Sequence, residues 1–272
     1  MRLTKTIFIN IALVIGLNCN SQTIIGLLDK NTLVFDSERP IKEVYETFSG
    51  KKQTIFTYDR NGKLISKVPR LKSIPNFSIF WEYTDSLQKF RTDIKETNFG
   101  KMINYFSYHY DNSGYLTSIK YLNPEKKLIN DIIIKNDSLG NPIRLETFDN
   151  KRRKMGYEVA KYFYDLNLVE IMVYNTKDQI AGIILNPIDK KKPMISFKDY
   201  LSKNSYNHLK QKAKDWANLR VTYNKFKYKF NKNGFWKKET HDLIGYFPAT
   251  KRIENYSNGY ITRNIKKYYN KN

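Results

Sequence analysis

An aspartate-headed turn recurs through this chain at a nearly constant interval, and no other feature constrains the fold as tightly. Asp59, Asp85, Asp111, Asp137 and Asp165 follow one another at spacings of 26, 26, 26 and 28 residues. The fullest copy is Phe106–Tyr121, FSYHYDNSGYLTSIKY. Phe106, Tyr108 and Tyr110 alternate into the turn, and Tyr115, Thr117, Ile119 and Tyr121 alternate out of it. Period-two alternation on both sides of a turn signal reads as a β-hairpin. Asp111, at the first turn position, can accept a hydrogen bond from the backbone two residues on. Gly114, at the fourth, tolerates the positive φ of a bulged return to the sheet. Gly62 and Gly140 stand in the same place after Asp59 and Asp137. Gly234 and Gly259, 25 residues apart, mark two further turns near the C-terminus.

Two strands of six to eight residues, a tight turn and a looser return fill about 26 residues. The expectation is a mainly β fold, an antiparallel meander of such hairpin repeats forming an extended twisted sheet. A lone hairpin is marginally stable in water, so the Tyr and Phe stripe is expected to bury against neighbouring hairpins. Residues 23–272 read as a single β-repeat domain, interrupted at 186–220. There Asn186–Pro193 is a proline-bounded basic loop. Ser196 and Asp199 then look like the N-cap and first turn of a helix. Leu209, Ala213, Trp216 and Leu219 recur at helical spacing, predicting one inserted α-helix over about 196–220 with its apolar stripe on the sheet.

Met1–Gln22 looks like a secretory leader. Arg2 and Lys5 precede an apolar run, Ile7–Leu17, too short for a bilayer span. Gly16-Leu17-Asn18-Cys19 resembles the lipobox of bacterial lipoproteins, with Asn18 where that family prefers a small residue. Two outcomes stay open: a lipoprotein leader of 1–18 with lipid on Cys19, or a signal peptide of 1–22 and simple secretion. Either makes the chain exported, as an outer-membrane lipoprotein or a periplasmic or secreted protein.

The phrase Tyr-x-Tyr-Asp-x-x-Gly-x-Leu, at Tyr108–Leu116 and as Phe56–Leu64, resembles the YD repeat of Rhs-like bacterial proteins. Short repeat proteins related to these occur among exported proteins of the Bacteroidetes type. The resemblance covers most of residues 30–175 and, more weakly, 222–265. It implies a β-sheet of stacked repeats. Large Rhs proteins enclose a cargo, but the units here are too few to close a shell of that kind. The family has no shared catalytic residues to carry over.

The formal charge is +22, mostly lysine spread along the chain. Lys and Arg neutralise phosphate, yet the dispersed lysines read as solvated faces, and nucleic acid is not expected as a partner. Cys19 is the sole cysteine, which excludes an intrachain disulfide and multi-thiolate zinc sites. His109, His208 and His241 lack a second ligand at metal-site spacing, and no nucleophile elbow or phosphate-cradling glycine loop is present. No catalytic, metal or cofactor residue is expected. The function expected is a non-enzymatic binding or scaffold module at the cell envelope, engaging a protein or polysaccharide along an open sheet or its edges. The alternatives are a repeat sheet carrying a small basic, nuclease-like effector over Lys190–Asn272, or a binder of anionic polymer.

Overall fold

The computed structural model describes residues 23–29, 41–48, 52–59, 64–70, 78–83, 90–97, 100–190, 192–230 and 236–267. The leader with Cys19, and the turn positions Gly62, Asp85 and Gly234, lie outside the described residues. A short helix, α1 (Ile24–Asp29), comes first. Strands follow as β1 (Ile41–Phe48), β2 (Lys52–Tyr58), β3 (Leu64–Arg70), β4 (Ser78–Tyr83) and β5 (Phe90–Thr97). Next are β6 (Gly100–Tyr110), β7 (Leu116–Leu122), β8 (Leu128–Asn136), β9 (Pro142–Asp149) and β10 (Lys154–Phe163). The chain continues through β11 (Leu168–Tyr174), β12 (Ile180–Pro187) and a second helix, α2 (Phe197–Lys203). It finishes with β13 (Val221–Phe230), β14 (Trp236–Phe247) and β15 (Arg252–Lys267).

The fold is mainly β, and neighbouring strands pair in sequence order, as a meander requires. The sheet does not remain open. β1 pairs with β2 on one side and with β15 on the other, from Ile41↔Lys267 to Phe48↔Ile261, closing a barrel. The edges expected to receive an extended partner are therefore joined to each other. The C-terminal strands are part of this ring, bonded to β12 and β1, and do not fold apart as an effector would.

Closure also explains the insertion. Around any ring, strand direction must return to its starting sense, so antiparallel neighbours must be even in number. A ring of fifteen strands needs at least one parallel pair. That pair is β12–β13, in register at Ile183↔Val221 through Leu185↔Tyr223. Parallel neighbours need a crossover rather than a hairpin, and the segment between Pro187 and Val221 supplies it.

The crossover is less helical than expected. Ser196 is the N-cap, its Oγ accepting from the Asp199 N–H at 3.2 Å. The helix nevertheless stops at Lys203. Asn204 takes an extended conformation and its Nδ2 donates to the Tyr200 carbonyl at 2.9 Å, the kind of local side-chain bond that competes with helix continuation. His208 sits in a single 3-10 turn, Asn207–Leu209. The apolar stripe still packs as expected. Phe197, Tyr200, Tyr206, Leu209 and Leu219, with Ala213 and Trp216, form one cluster with Leu168, Ile183, Leu185, Val221 and Tyr223 of the strands.

The two faces of the wall differ. Phe106, Tyr108, Ile119, Tyr121, Ile132, Ile134, Leu145, Ala160, Val169 and Ile171 share one face by register and are buried together with Ile24 of α1. A six-residue helix spans about 9 Å and cannot cover six strands about 4.8 Å apart, so this is the concave, inner face. Each buried Val, Leu, Ile or Phe side chain here contributes about 1.5–3 kcal/mol. The opposite face carries Lys120, Asp131, Ile133, Lys135, Arg144, Glu146 and Lys161. Along β7–β10, apolar positions inside and these charged ones outside are the reverse of the alternation by which a barrel meets lipid.

Candidate functional site

The turn chemistry is where sequence and structure meet most closely. The Asp111 carboxylate accepts from the Ser113 and Tyr115 N–H groups, each at 2.9 Å, and Gly114 has φ 81°. Asp137 repeats this with Leu139 and Asn141 at 2.9 and 2.8 Å, and Gly140 also has φ 81°. Asp59 directly follows β2. These aspartates are structural marks. Burial raises the Asp137 carboxyl, but the hydrogen bonds from Asn141, Leu139 and Tyr164 together hold it below its ordinary value.

Two marks need correction. Asp165 lies inside a 3-10 turn, Tyr164–Leu166, and the left-handed position falls at Asn167, φ 49°, whose N–H donates to the Tyr164 carbonyl at 3.0 Å. Gly259 is not at a turn but within β15, where the β14–β15 register slips between Thr240↔Tyr260 and Asp242↔Ser257. The turn itself follows Phe247, with Lys251 at φ 55° and the Thr250 N–H donating to the Phe247 carbonyl. A glycine inside a strand reads as a bulge as readily as a turn, and spacing alone could not separate them.

A second series of turns went unread. Asn123, Asp149 and Asn175, spaced 26 residues apart, head the return turns at the other end of the barrel. Their Oδ1 atoms accept from Lys127, from Lys151 and Arg153, and from Lys177 and Gln179, at 2.8–3.0 Å. The left-handed residues there are Lys126, Arg152 and Asp178, with φ 57–62°. Without glycine the turns carried no obvious signal; the recurrent Asn or Asp would have revealed them.

The inner face turns polar as it passes from β12 through β15 to β1 and β2. Asn224 Nδ2 donates to Asn186 Oδ1 at 3.3 Å, and Asn224 Oδ1 is 3.1 Å from His241 Nε2. The His241 ring stacks on Phe226 at 4.4 Å and 10°, and Lys190 Nζ lies 4.6 Å over the same phenyl ring. His241 thus belongs to strand β14. Further round, Arg263 Nε donates to Glu46 Oε1 at 3.2 Å. Burial raises the Tyr58 hydroxyl well above its ordinary value, opposed by Arg263 and reinforced by Glu46. Burial likewise raises Glu239, with Lys190, a Tyr228 hydrogen bond and Arg263 pulling it back.

Glu158 is a further inner carboxyl. Its Oε2 accepts from the Ile24 N–H at 2.7 Å, and burial pushes it to about 7. Ile24 is 0% exposed, so α1 seals this group against the apolar half of the interior. On the outer face under the crossover, Glu170 Oε2 accepts from the Tyr200 and Tyr206 hydroxyls at 2.6 and 3.0 Å. His109 is exposed, with Nε2 3.1 Å from Ser107 Oγ. Among the described residues no group of three or more His, Cys, Asp or Glu gathers to hold a metal. No described helix is long and apolar enough to cross a membrane.

No family model matches the chain, and no curated protein matches it. Solved structures that align with it include the following two. A porin-like protein from Bacteroides uniformis is 11% identical, with a TM-score of 0.46 over 82% of this chain and 96% of that one. The complex TcdB2-TccC3-Cdc42 aligns at 12% identity and a TM-score of 0.27 over 80% of this chain but 13% of that one. Both are β-rich alignments too slight to transfer a fold or a function. The resemblance to the YD repeat rests on the residues of Tyr108–Leu116 and their counterparts.

Proposed function

We propose that this chain is an exported, non-enzymatic binding or scaffold module of the bacterial cell envelope. The observation that supports it most is how the inner polar groups are used. Asn186, Asn224 and His241 bond one another, Glu46 engages Arg263, and Glu158 holds α1. Groups engaged in this way hold a barrel together rather than present reactive atoms to a substrate. The charged outer wall is then the surface available for contact, and the leader of residues 1–22 would deliver it outside the cytoplasm.

The test is the intact mass of the chain recovered from membrane and soluble fractions of a native-type host. A mass starting at Cys19 with acyl groups, or a lipid-free chain starting near Thr23, is expected. A chain beginning at Met1 in the cytosol would overturn the reading.

A further inference from the structure

The outer face of β13 and β14 has two ends of opposite character. Val221, Tyr223, Ile244 and Tyr246 lie under the crossover, packed with Phe197, Leu209 and Leu219. Past Tyr223 the cover ends, and the outward positions of β13 become Lys225, Lys227 and Lys229, all exposed. Across the sheet Lys229 pairs with Lys238, Lys227 with Thr240 and Lys225 with Asp242. The β12–β13 pairing ends at Leu185↔Tyr223, so beside the lysines the described wall has a paired strand, β14, on one side only. Among the described residues, four cations thus meet one carboxylate on a surface that the crossover leaves uncovered.

We infer that this row is a docking surface for an extended acidic peptide, with carboxylates at alternate positions. The inference rests on the binding-module reading above and deepens it by naming the partner's chemistry. Alternate residues of a strand stand about 7 Å apart on one face, so Lys225, Lys227 and Lys229 form a straight row at that interval. An extended peptide has the same interval, and can therefore set one carboxylate against each ammonium as opposite-charge neighbours do across a sheet. Other anionic polymers match less well. Single-stranded nucleic acid is held by aromatic platforms and by the planar fork of arginine. Here the cations are all lysines, and the exposed Tyr260 ring already has Lys238 Nζ 4.2 Å above it. Acidic polysaccharides repeat their charges at a sugar-ring interval rather than a strand interval.

The experiment titrates the full chain with a labelled peptide alternating Glu and Thr, and with its isomer in which all Glu precede all Thr. The alternating peptide should bind more tightly. The triple variant K225Q/K227Q/K229Q should weaken it about tenfold, the combined effect of three exposed ion pairs. The control triple K198Q/K203Q/K210Q removes the same charge from the exposed crossover and should change binding less than about twofold. Far-UV circular dichroism checks that both variants fold. Equal binding of the two isomers, or equal loss in the two triples, would reduce the row to diffuse charge and overturn the inference. Stronger, equally row-dependent binding of oligothymidylate or heparin would overturn it in favour of another polymer. The binding-module reading fails separately, on the intact mass.

Discussion

The two halves of the barrel interior solve the same burial problem with different chemistry. From β6 to β11 the inner face is aliphatic and aromatic, closed by α1, with Ile119, Ile132, Val169 and Ile171 each 0% exposed. From β12 through β15 to β2 it is laced with polar contacts, Asn186–Asn224–His241 and Glu46–Arg263 among them. The first half gains stability in proportion to area removed from water and is insensitive to partner identity. The second half depends on each group keeping its partner, because a buried polar group left alone costs more than the bond contributes. Apolar burial makes one half strong; partner matching makes the other specific.

Substitutions should expose that difference. Ile132→Ala in the apolar half should cost about 3–4 kcal/mol through lost transfer energy and an unfilled cavity, read by urea unfolding. A cost below about 1 kcal/mol would show that this half is loosely packed. Glu158 is the exception inside the apolar half, and its effect depends on pH. Its carboxyl is raised from 4.5 to about 7 by burial, so the folded barrel prefers the protonated form. The contribution is therefore intact below about pH 4.5 and lost as pH rises to about 7, by up to about 3 kcal/mol. Stability measured at pH 5 and pH 8 should differ in that direction, and Glu158→Gln should flatten the difference.

In the polar half the partner, not the area, should decide the outcome. Arg263→Met leaves Glu46 without its cation and should cost about 2 kcal/mol, less than a fully buried pair because both side chains keep some water. The double variant Glu46→Gln, Arg263→Met should recover most of that loss. If the double is as unstable as the single, the pair contributes packing rather than charge matching.

The smallest effects should come from the two barrel ends. At the glycine end, Gly140→Ala places a Cβ 2.3 Å from Tyr115 Cε1 at φ 81° and should cost about 2 kcal/mol. At the other end, Lys126→Gly at φ 58° should be neutral or stabilise by up to about 1 kcal/mol, since glycine takes that conformation without strain. Equal losses at both ends would mean that the two sets of turns are not built alike.

Limited proteolysis near Lys190–Lys192 bears on the same ring. With β13–β15 bonded to both β12 and β1, no stable C-terminal fragment should be released. Release of one would restore the separate-effector alternative.

Much of the local structure was legible in the residues. Asp111 with Gly114 and Asp137 with Gly140 announce their turns because the capping bond and the left-handed residue lie within five positions of each other. Ser196 announces its helix start for the same reason. The return turns at Asn123, Asp149 and Asn175 escaped because Lys126, Arg152 and Asp178 hold the left-handed position without the glycine that marks it. The helix end escaped too, since Asn204 stops it through one side-chain bond that no spacing records. Of the inner polar half almost nothing was visible. His241 and Asn224 meet only because β13 and β14 pair in register, which brings Phe226 opposite His241.

The sequence by itself determined that this chain makes hairpins, about where they turn, and that their strands alternate between two faces. Those properties follow from contacts a few residues apart. Tertiary structure decided which face turns inward, that the meander closes, and that the closing ring takes one parallel pair across the crossover. The β1–β15 pairing joins residues more than 200 positions apart, such as Glu46 and Arg263. No local pattern encodes such a register. It emerges when the strands curl far enough for the first and last backbone edges to satisfy each other, which is the condition a sheet with costly free edges is driven to meet.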